Sequence, residues 1–268
     1  MTVSDRRVRV YDDKAGLSAA VAARFLRRMR DILDEKPEAH VVLTGGTMGE
    51  AVLADVASSK LRDKVDWARV TFWWGDERYL PKGDPDRNET QARRALLDSL
   101  ELRAEQVRPF PAHGEHASID EAAAAYAAEL ASAAPEGAAH PVFDITFLGV
   151  GPDGHVASLF PDHDAVRDRH NVVLAETSSP KPPPERLTLT LPVINSSERV
   201  WLVLAGADKA GALGLALADA NPADVPVAGV HGKLRTVFFV DAAAAAEVPE
   251  NLLTRERFWT AAHELPQP

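Results

Sequence analysis

Cysteine is absent from the 268 residues. That excludes disulfides, a thiolate nucleophile, thiolate zinc sites and iron–sulfur clusters, and it suits a reducing compartment. No uninterrupted apolar run approaches the roughly 18 residues of a membrane span. The opening MTVSDRRVRVYDD has arginines but no apolar stretch behind them, so it does not read as a signal peptide, and a cytoplasmic protein is expected. Positive charge is in short supply. Lys and Arg number 30 against 40 Asp and Glu, a formal net charge of −10. A general nucleic-acid binder needs a basic footprint, so neither nucleic acid nor membrane is an expected partner. Three catalytic signatures are also missing: the G-x-S-x-G elbow, H-E-x-x-H and the P-loop lysine. Without a covalent nucleophile or a metal, the chemistry must use water or the substrate's own functional group.

What remains is an ordinary globular composition, 46% hydrophobic and 26% charged. At roughly 100–200 residues per domain the length fits one large or two small domains. No repeat and no clean linker divides the chain, so a single α/β domain over residues 1–268 is expected. Helical spacing of apolar residues appears over 18–33, 48–57 and 90–100. Ser118-Ile-Asp-Glu121 fits a capping box and opens an Ala-rich helix to about residue 134. A last helix runs to 218. Strand patterns fall at 40–43, 70–74, 143–148, 171–176, 186–191, 200–204 and 236–240. Strands interleaved with helices predict a three-layer α/β fold with a mostly parallel sheet.

Open parallel sheets bind ligands beyond the carboxyl ends of their strands, so the loops there are the places to search. Thr44-Gly-Gly-Thr-Met-Gly49 follows the first strand of this series and precedes a helix. Gly45 and Gly46 let backbone amides turn inward, and the helix N-terminus adds positive potential, which suits a phosphate. An ordinary tight turn is the alternative. Gly75-Asp-Glu-Arg-Tyr79 follows the aromatic strand VTFWW. Asp76 and Glu77 can orient water or a cation, and Arg78 can pair with an anion; a solvated charged turn is the alternative. Gly149-Val-Gly-Pro-Asp-Gly-His155 contains a formal G-x-G-x-x-G, but an acid in its middle would repel pyrophosphate. Its sharper feature is Asp153 and His155 bracketing Gly154. A histidine beside a carboxylate can act as a base near neutral pH, because its unperturbed pKa is about 6.5. Ser179-Pro-Lys-Pro-Pro-Pro-Glu-Arg186 is stiffened by prolines, and it holds Lys181 and Arg186 ready for a phosphate or carboxylate. His113 and His116 (HGEH) read as a polar loop rather than a metal site.

Taken in order, TFWWGDERYLP with Asp84-Pro-Asp-Arg-Asn88, FLGVGPDGHVASLFP, SSPKPPPERLTLTLPVIN and Ala207-Asp-Lys-Ala210 resemble the 6-phosphogluconolactonases, over nearly the whole chain. The resemblance implies the glucosamine-6-phosphate isomerase/ribose-5-phosphate isomerase type of α/β fold. It implies hydrolysis of 6-phospho-D-glucono-1,5-lactone to 6-phosphogluconate, the second step of the oxidative pentose phosphate pathway, with neither metal nor organic cofactor. Carried onto this chain, it makes His155 the base and Asp153 its orienting carboxylate. Arg78 stands near the oxyanion or the substrate hydroxyls, positioned by Asp76 and Glu77. Gly45, Gly46 and Thr47 meet the 6-phosphate, with Lys181 and Arg186 supplying charge. Thr47-Met48-Gly49 departs from the family's Gly-Gly-Ser-Thr-Pro pattern, and His231 and Lys233 are open between pocket lining and surface and are not counted in the predicted site. Monomer and homodimer are both open.

Rival readings exist. An amino-sugar phosphate isomerase or deaminase on the same fold needs an acid where Ala157-Ser158-Leu159-Phe160 stands here. A non-catalytic sugar-phosphate sensor would usually carry a DNA-binding module, and none is visible. A nicotinamide-dependent dehydrogenase rests only on the G-x-G-x-x-G match.

Overall fold

The computed structural model describes residues 5–250 and residue 253. Its central sheet has six parallel strands: β1 (Asp5–Tyr11), β2 (Ala39–Leu43), β3 (Val70–Trp74), β5 (Ile145–Leu148), β8 (Arg199–Leu204) and β9 (Arg235–Asp241). Their spatial order is β1-β9-β8-β5-β2-β3. The central strands are mostly apolar, as suits strands covered on both faces. ITFL of β5 is buried at every position, and in β3 only Thr71 is partly exposed. Helices flank this sheet. The longest, α1 (Lys14–Glu35), buries Leu17, Val21, Phe25, Met29 and Ile32, spaced three or four apart. Asp13 caps it by accepting from the Gly16 amide at 2.7 Å. Among the described residues no helix is long and apolar enough to cross a membrane.

Two strands escape the sequence reading. In β1 the arginines of DRRVRVY interrupt the apolar pattern. At a sheet edge burial can fall away along one face, and here Val8 is buried while Val10, on the same face, is exposed. The second is β4 (Asp76–Arg78), in the segment predicted as a loop. It joins β6 (Val173–Glu176) and β7 (Arg186–Leu189) in a separate antiparallel sheet of order β4-β7-β6. Three residues of charged sequence carry no strand signal of their own; pairing with β7 creates the strand. The helix predicted over 90–100 is α3 (Asn88–Ala95), followed by a 3-10 turn at Leu97–Ser99. Half of the expected capping box forms: Ser118 accepts from the Glu121 amide at 3.1 Å and starts α4 (Ile119–Ser132), while the Glu121 side chain accepts from the Ala117 amide at 3.2 Å instead of that of Ser118.

The strand order reverses between β2 and β5. The chain leaves β2 for β3 on one side, while β5 leads to β8 on the other. Loops that depart in opposite directions open a crevice at such a switch point.

Candidate active site

A cavity of about 390 Å³ occupies that crevice. It draws on the ends of β2, β5 and β8, the strand β4, and the proline-rich segment 179–185. Gly45, Gly46, Thr47, Asp76, Arg78, His155, Lys181 and Arg186 all line it. Residues spread over more than 140 positions of sequence thus meet in one place. Thr44 ties the two loops of the switch point together, its Oγ1 accepting from the Gly149 amide at 3.1 Å.

Helix α2 (Gly46–Ser58) begins at the cavity wall with Gly45 as its N-cap and no side chain capping it. The first amides of a helix have no partner within it, so this end offers donors and positive potential to an anion. Gly45 is required by a close approach. A Cβ there would stand 1.8 Å from Asn88 Oδ1.

Also lining the cavity is His155, whose Nδ1 lies 2.5 Å from Asp153 Oδ1, and the same carboxylate oxygen accepts from the His155 amide at 3.3 Å. Burial works against ionisation of Asp153. The hydrogen bond and charge of His155, aided by Lys181, outweigh it and hold the carboxyl well below the usual range. An ionised Asp153 fixes the proton on Nδ1 and leaves the Nε2 lone pair available for a water. Gly151 makes this pair possible, since a Cβ there would lie 2.0 Å from His155 Nδ1 and 2.4 Å from Asp153 Oδ1. Asp153 does not line the cavity; it stands behind the imidazole.

The expected cations take different posts. Lys181 Nζ lies 4.0 Å from Asp153 Oδ1, beside the His–Asp pair. Arg186 is buried and gives its hydrogens to the carbonyls of Lys181 and Pro182, both at 3.1 Å, and Pro183 at 3.2 Å. It therefore laces the proline-rich segment in place while still facing the cavity. Burial lowers its pKa, and Asp76 works in the opposite direction. Arg78 donates to the Asp86 carbonyl, which braces its guanidinium at the cavity wall.

The acids of GDER part company. Asp76 lines the cavity and accepts from Ser158 Oγ at 2.7 Å. Glu77 does not line it, which corrects its expected place among substrate-binding residues. Its side chain turns into the protein, 1% exposed, where the carboxylate accepts from the amides of Arg78 (2.8 Å), Asn88 (2.7 Å) and Glu89 (2.9 Å). The reason is alternation: adjacent strand residues point to opposite faces, so Asp76 and Glu77 cannot both face one cavity. Burial pushes the Glu77 carboxyl up to about 7, against the pull of Arg87 and those amides.

Five polar lining residues were not among the predicted site residues: Lys14, Thr44, Asn88, Asp208 and Lys209. Asp208 and Lys209 follow β8 directly, so the rule of searching strand ends points to them. Asn88 sits inside a motif already singled out. Lys14 carries no local signal, since only the packing of α1 brings it to the cavity. His231 and Lys233, whose place the sequence left open, are not among the lining residues. Among the described residues, no group of three or more His, Cys, Asp or Glu side chains is placed to hold a metal ion.

Comparison with known proteins sets this geometry in a class. The family model for glucosamine-6-phosphate isomerases/6-phosphogluconolactonase matches residues 12–238, and the chain belongs to that family. Within it, the nearer likenesses bear the lactonase name. The 6-phosphogluconolactonase of Streptomyces coelicolor is 49% identical over 247 residues, covering 91% of this chain and 95% of that protein. That of Mycobacterium leprae is 43% identical over 244 residues, covering 90% and 98%. The solved 6-phosphogluconolactonase from Trypanosoma brucei superposes with a TM-score of 0.80 at 29% identity, covering 92% of this chain and 100% of that one.

Proposed function

We propose that this cavity hydrolyses 6-phospho-D-glucono-1,5-lactone to 6-phospho-D-gluconate, without a metal, using water activated by His155. The observation that carries the reading is that His155, paired with Asp153 at 2.5 Å, lines the same cavity as the uncapped start of α2. A general base thereby shares a chamber with an anion cradle. The lactonase names of the relatives support this phosphorylated ester as the substrate, and with it the second step of the oxidative pentose phosphate pathway.

The lactone carbonyl is already electrophilic. What it lacks in water is a positioned, partly deprotonated nucleophile and a stabilised oxyanion. A water attacks C1 as Nε2 of His155 takes its proton, and the carbonyl electron pair moves to oxygen. Asp153, ionised, steadies the resulting imidazolium. Arg78 supplies charge to the oxyanion or to the sugar hydroxyls. When the tetrahedral intermediate collapses, the C1–ring oxygen bond breaks. The imidazolium returns its proton to the departing ring oxygen, which becomes the 5-hydroxyl. The 6-phosphate rests on the Gly45, Gly46 and Thr47 end of α2, and Lys209, across the cavity, adds charge. Lys181 works beside the base.

The test is acid release in a pH-stat from lactone freshly generated from glucose 6-phosphate and corrected for spontaneous opening. Fast release that survives a chelator is expected. No release above the spontaneous rate defeats the function, and loss with chelator defeats the metal-free route.

A further inference from the structure

Asn88 and Arg78 both line the cavity, and both hang from one buried carboxylate. Glu77 accepts the Arg78 amide at 2.8 Å and the first two amides of α3, Asn88 at 2.7 Å and Glu89 at 2.9 Å. Helix α3 has no side-chain cap of its own. Glu77, eleven residues before Asn88, supplies the missing acceptor from across the fold. Beside it lies Arg87, wholly buried, with its Nη2 3.7 Å from Glu77 Oε2 and 3.3 Å from Glu89 Oε2. The same guanidinium donates to the carbonyls of Leu80 at 3.1 Å and Phe110 at 2.8 Å.

Asn88 carries the arrangement to the anion cradle. Its Nδ2 donates to the Asp76 carbonyl at 2.9 Å, which settles which amide atom is nitrogen. Its Oδ1 then presses on Gly45, where a Cβ would stand 1.8 Å away. One side chain therefore fixes the distance between β4 and the start of α2.

We infer that Arg87 is a positioning residue: with Glu77 it forms a buried ion pair that holds Arg78 and Asn88 in register with the anion cradle for turnover. Arg87 touches no substrate. It keeps a counter-charge on Glu77, and an ionised Glu77 can accept from all three amides at once. A merely structural Arg87, tying loop carbonyls together, would leave Arg78 as effective as before in any protein that folds.

The two roles separate in a double-mutant cycle. The kcat and KM of Arg78→Ala, Arg87→Met, Arg87→Lys and both double variants are measured on the lactone, with circular dichroism and melting as folding controls. Arg78→Ala alone should lower kcat/KM by about 10²-fold. In the Arg87→Met background, where Arg78 is already misplaced, it should cost less than about 5-fold. Arg87→Lys, which keeps the charge, should restore part of the loss. An undiminished Arg78→Ala penalty in folded Arg87→Met overturns the inference. Should Arg87→Met fail to fold, the same cycle is read in Arg87→Gln, which removes the charge but keeps a donor for the loop carbonyls, and an undiminished penalty there has the same force.

The kinetic readout rests on the lactonase reading; the pairing does not. If wild-type protein leaves the lactone intact, hydrogen exchange at the Arg78, Asn88 and Glu89 amides decides instead. Exchange faster by about tenfold in Arg87→Gln, which removes the charge, is expected. Unchanged protection refutes the pair independently of the substrate.

Discussion

Among the described residues, two histidines bind carboxylates through Nδ1, and only one of them lines the cavity. His155 pairs with Asp153 at 2.5 Å, and His163 pairs with Glu176 at 2.8 Å. Their rings flank Phe160 at 4.8 and 5.6 Å. Burial favours a neutral Glu176, yet bonds from His163 and Ser178 lower its pKa, so both histidines have similar partners. Location separates them. His155→Ala should cut kcat by about 10²-fold or more, the usual size of an acid–base contribution, while His163→Ala should stay within about threefold of wild type. Initial rates in the pH-stat check both, and equal losses would deny His155 its role. Lys209→Ala should act on binding, raising KM about tenfold with kcat little changed. The same substitution should leave hydrolysis of unphosphorylated gluconolactone unaffected; an equal loss there would remove Lys209 from the phosphate.

The loop after β5 and the strand β4 show how short elements carry the site. Gly151 leaves room for the His155–Asp153 contact, and Gly151→Ala would place a methyl 2.0 Å from Nδ1. We expect a folded protein whose turnover falls by about 10²-fold, as if the base itself were gone. Near wild-type kcat would mean that the pair is dispensable. In β4 the buried Glu77 makes folding pH-dependent. Its folded pKa of about 7 lies above the ordinary 4.5. The folded protein therefore holds that proton more tightly than the unfolded chain does. The stability this gives is fully present below about pH 4.5 and is lost as pH rises through about 7. Urea midpoints at pH 5 and pH 8 should thus differ more in wild type than in Glu77→Gln. An identical difference in both would place the pH dependence elsewhere.

Across the whole molecule, the site is where separate parts of the chain must stay together. The cradle of α2, the His155 loop, β4 and the segment after β8 have no common element beneath them except the sheet. A ligand that touches all of them should favour the folded state, by about 2.7 kcal/mol at a hundred times its Kd. For a chain of this size that is a melting shift of about 5–11 °C. Saturating 6-phosphogluconate should give such a shift, and equimolar gluconate almost none. A shift of equal size with gluconate would show that the phosphate is not what the cradle reads.

Local pattern alone determined most of the parallel strands, the long helices and the four loops that meet at the cavity. Apolar runs such as VTFWW and glycines such as Gly45 and Gly151 act on their immediate neighbours, so they leave their mark in short windows of sequence. His155, Asp153, Arg78 and the Gly45-Gly46 turn were legible for the same reason. Tertiary structure alone decided the rest. It made DER a strand by setting it against β7, turned Glu77 away from the cavity to cap a helix, set Arg186 to lacing prolines, and brought Lys14 to the cavity. Each of those outcomes depends on partners far away in the chain, and no local pattern encodes which distant group will satisfy a buried charge.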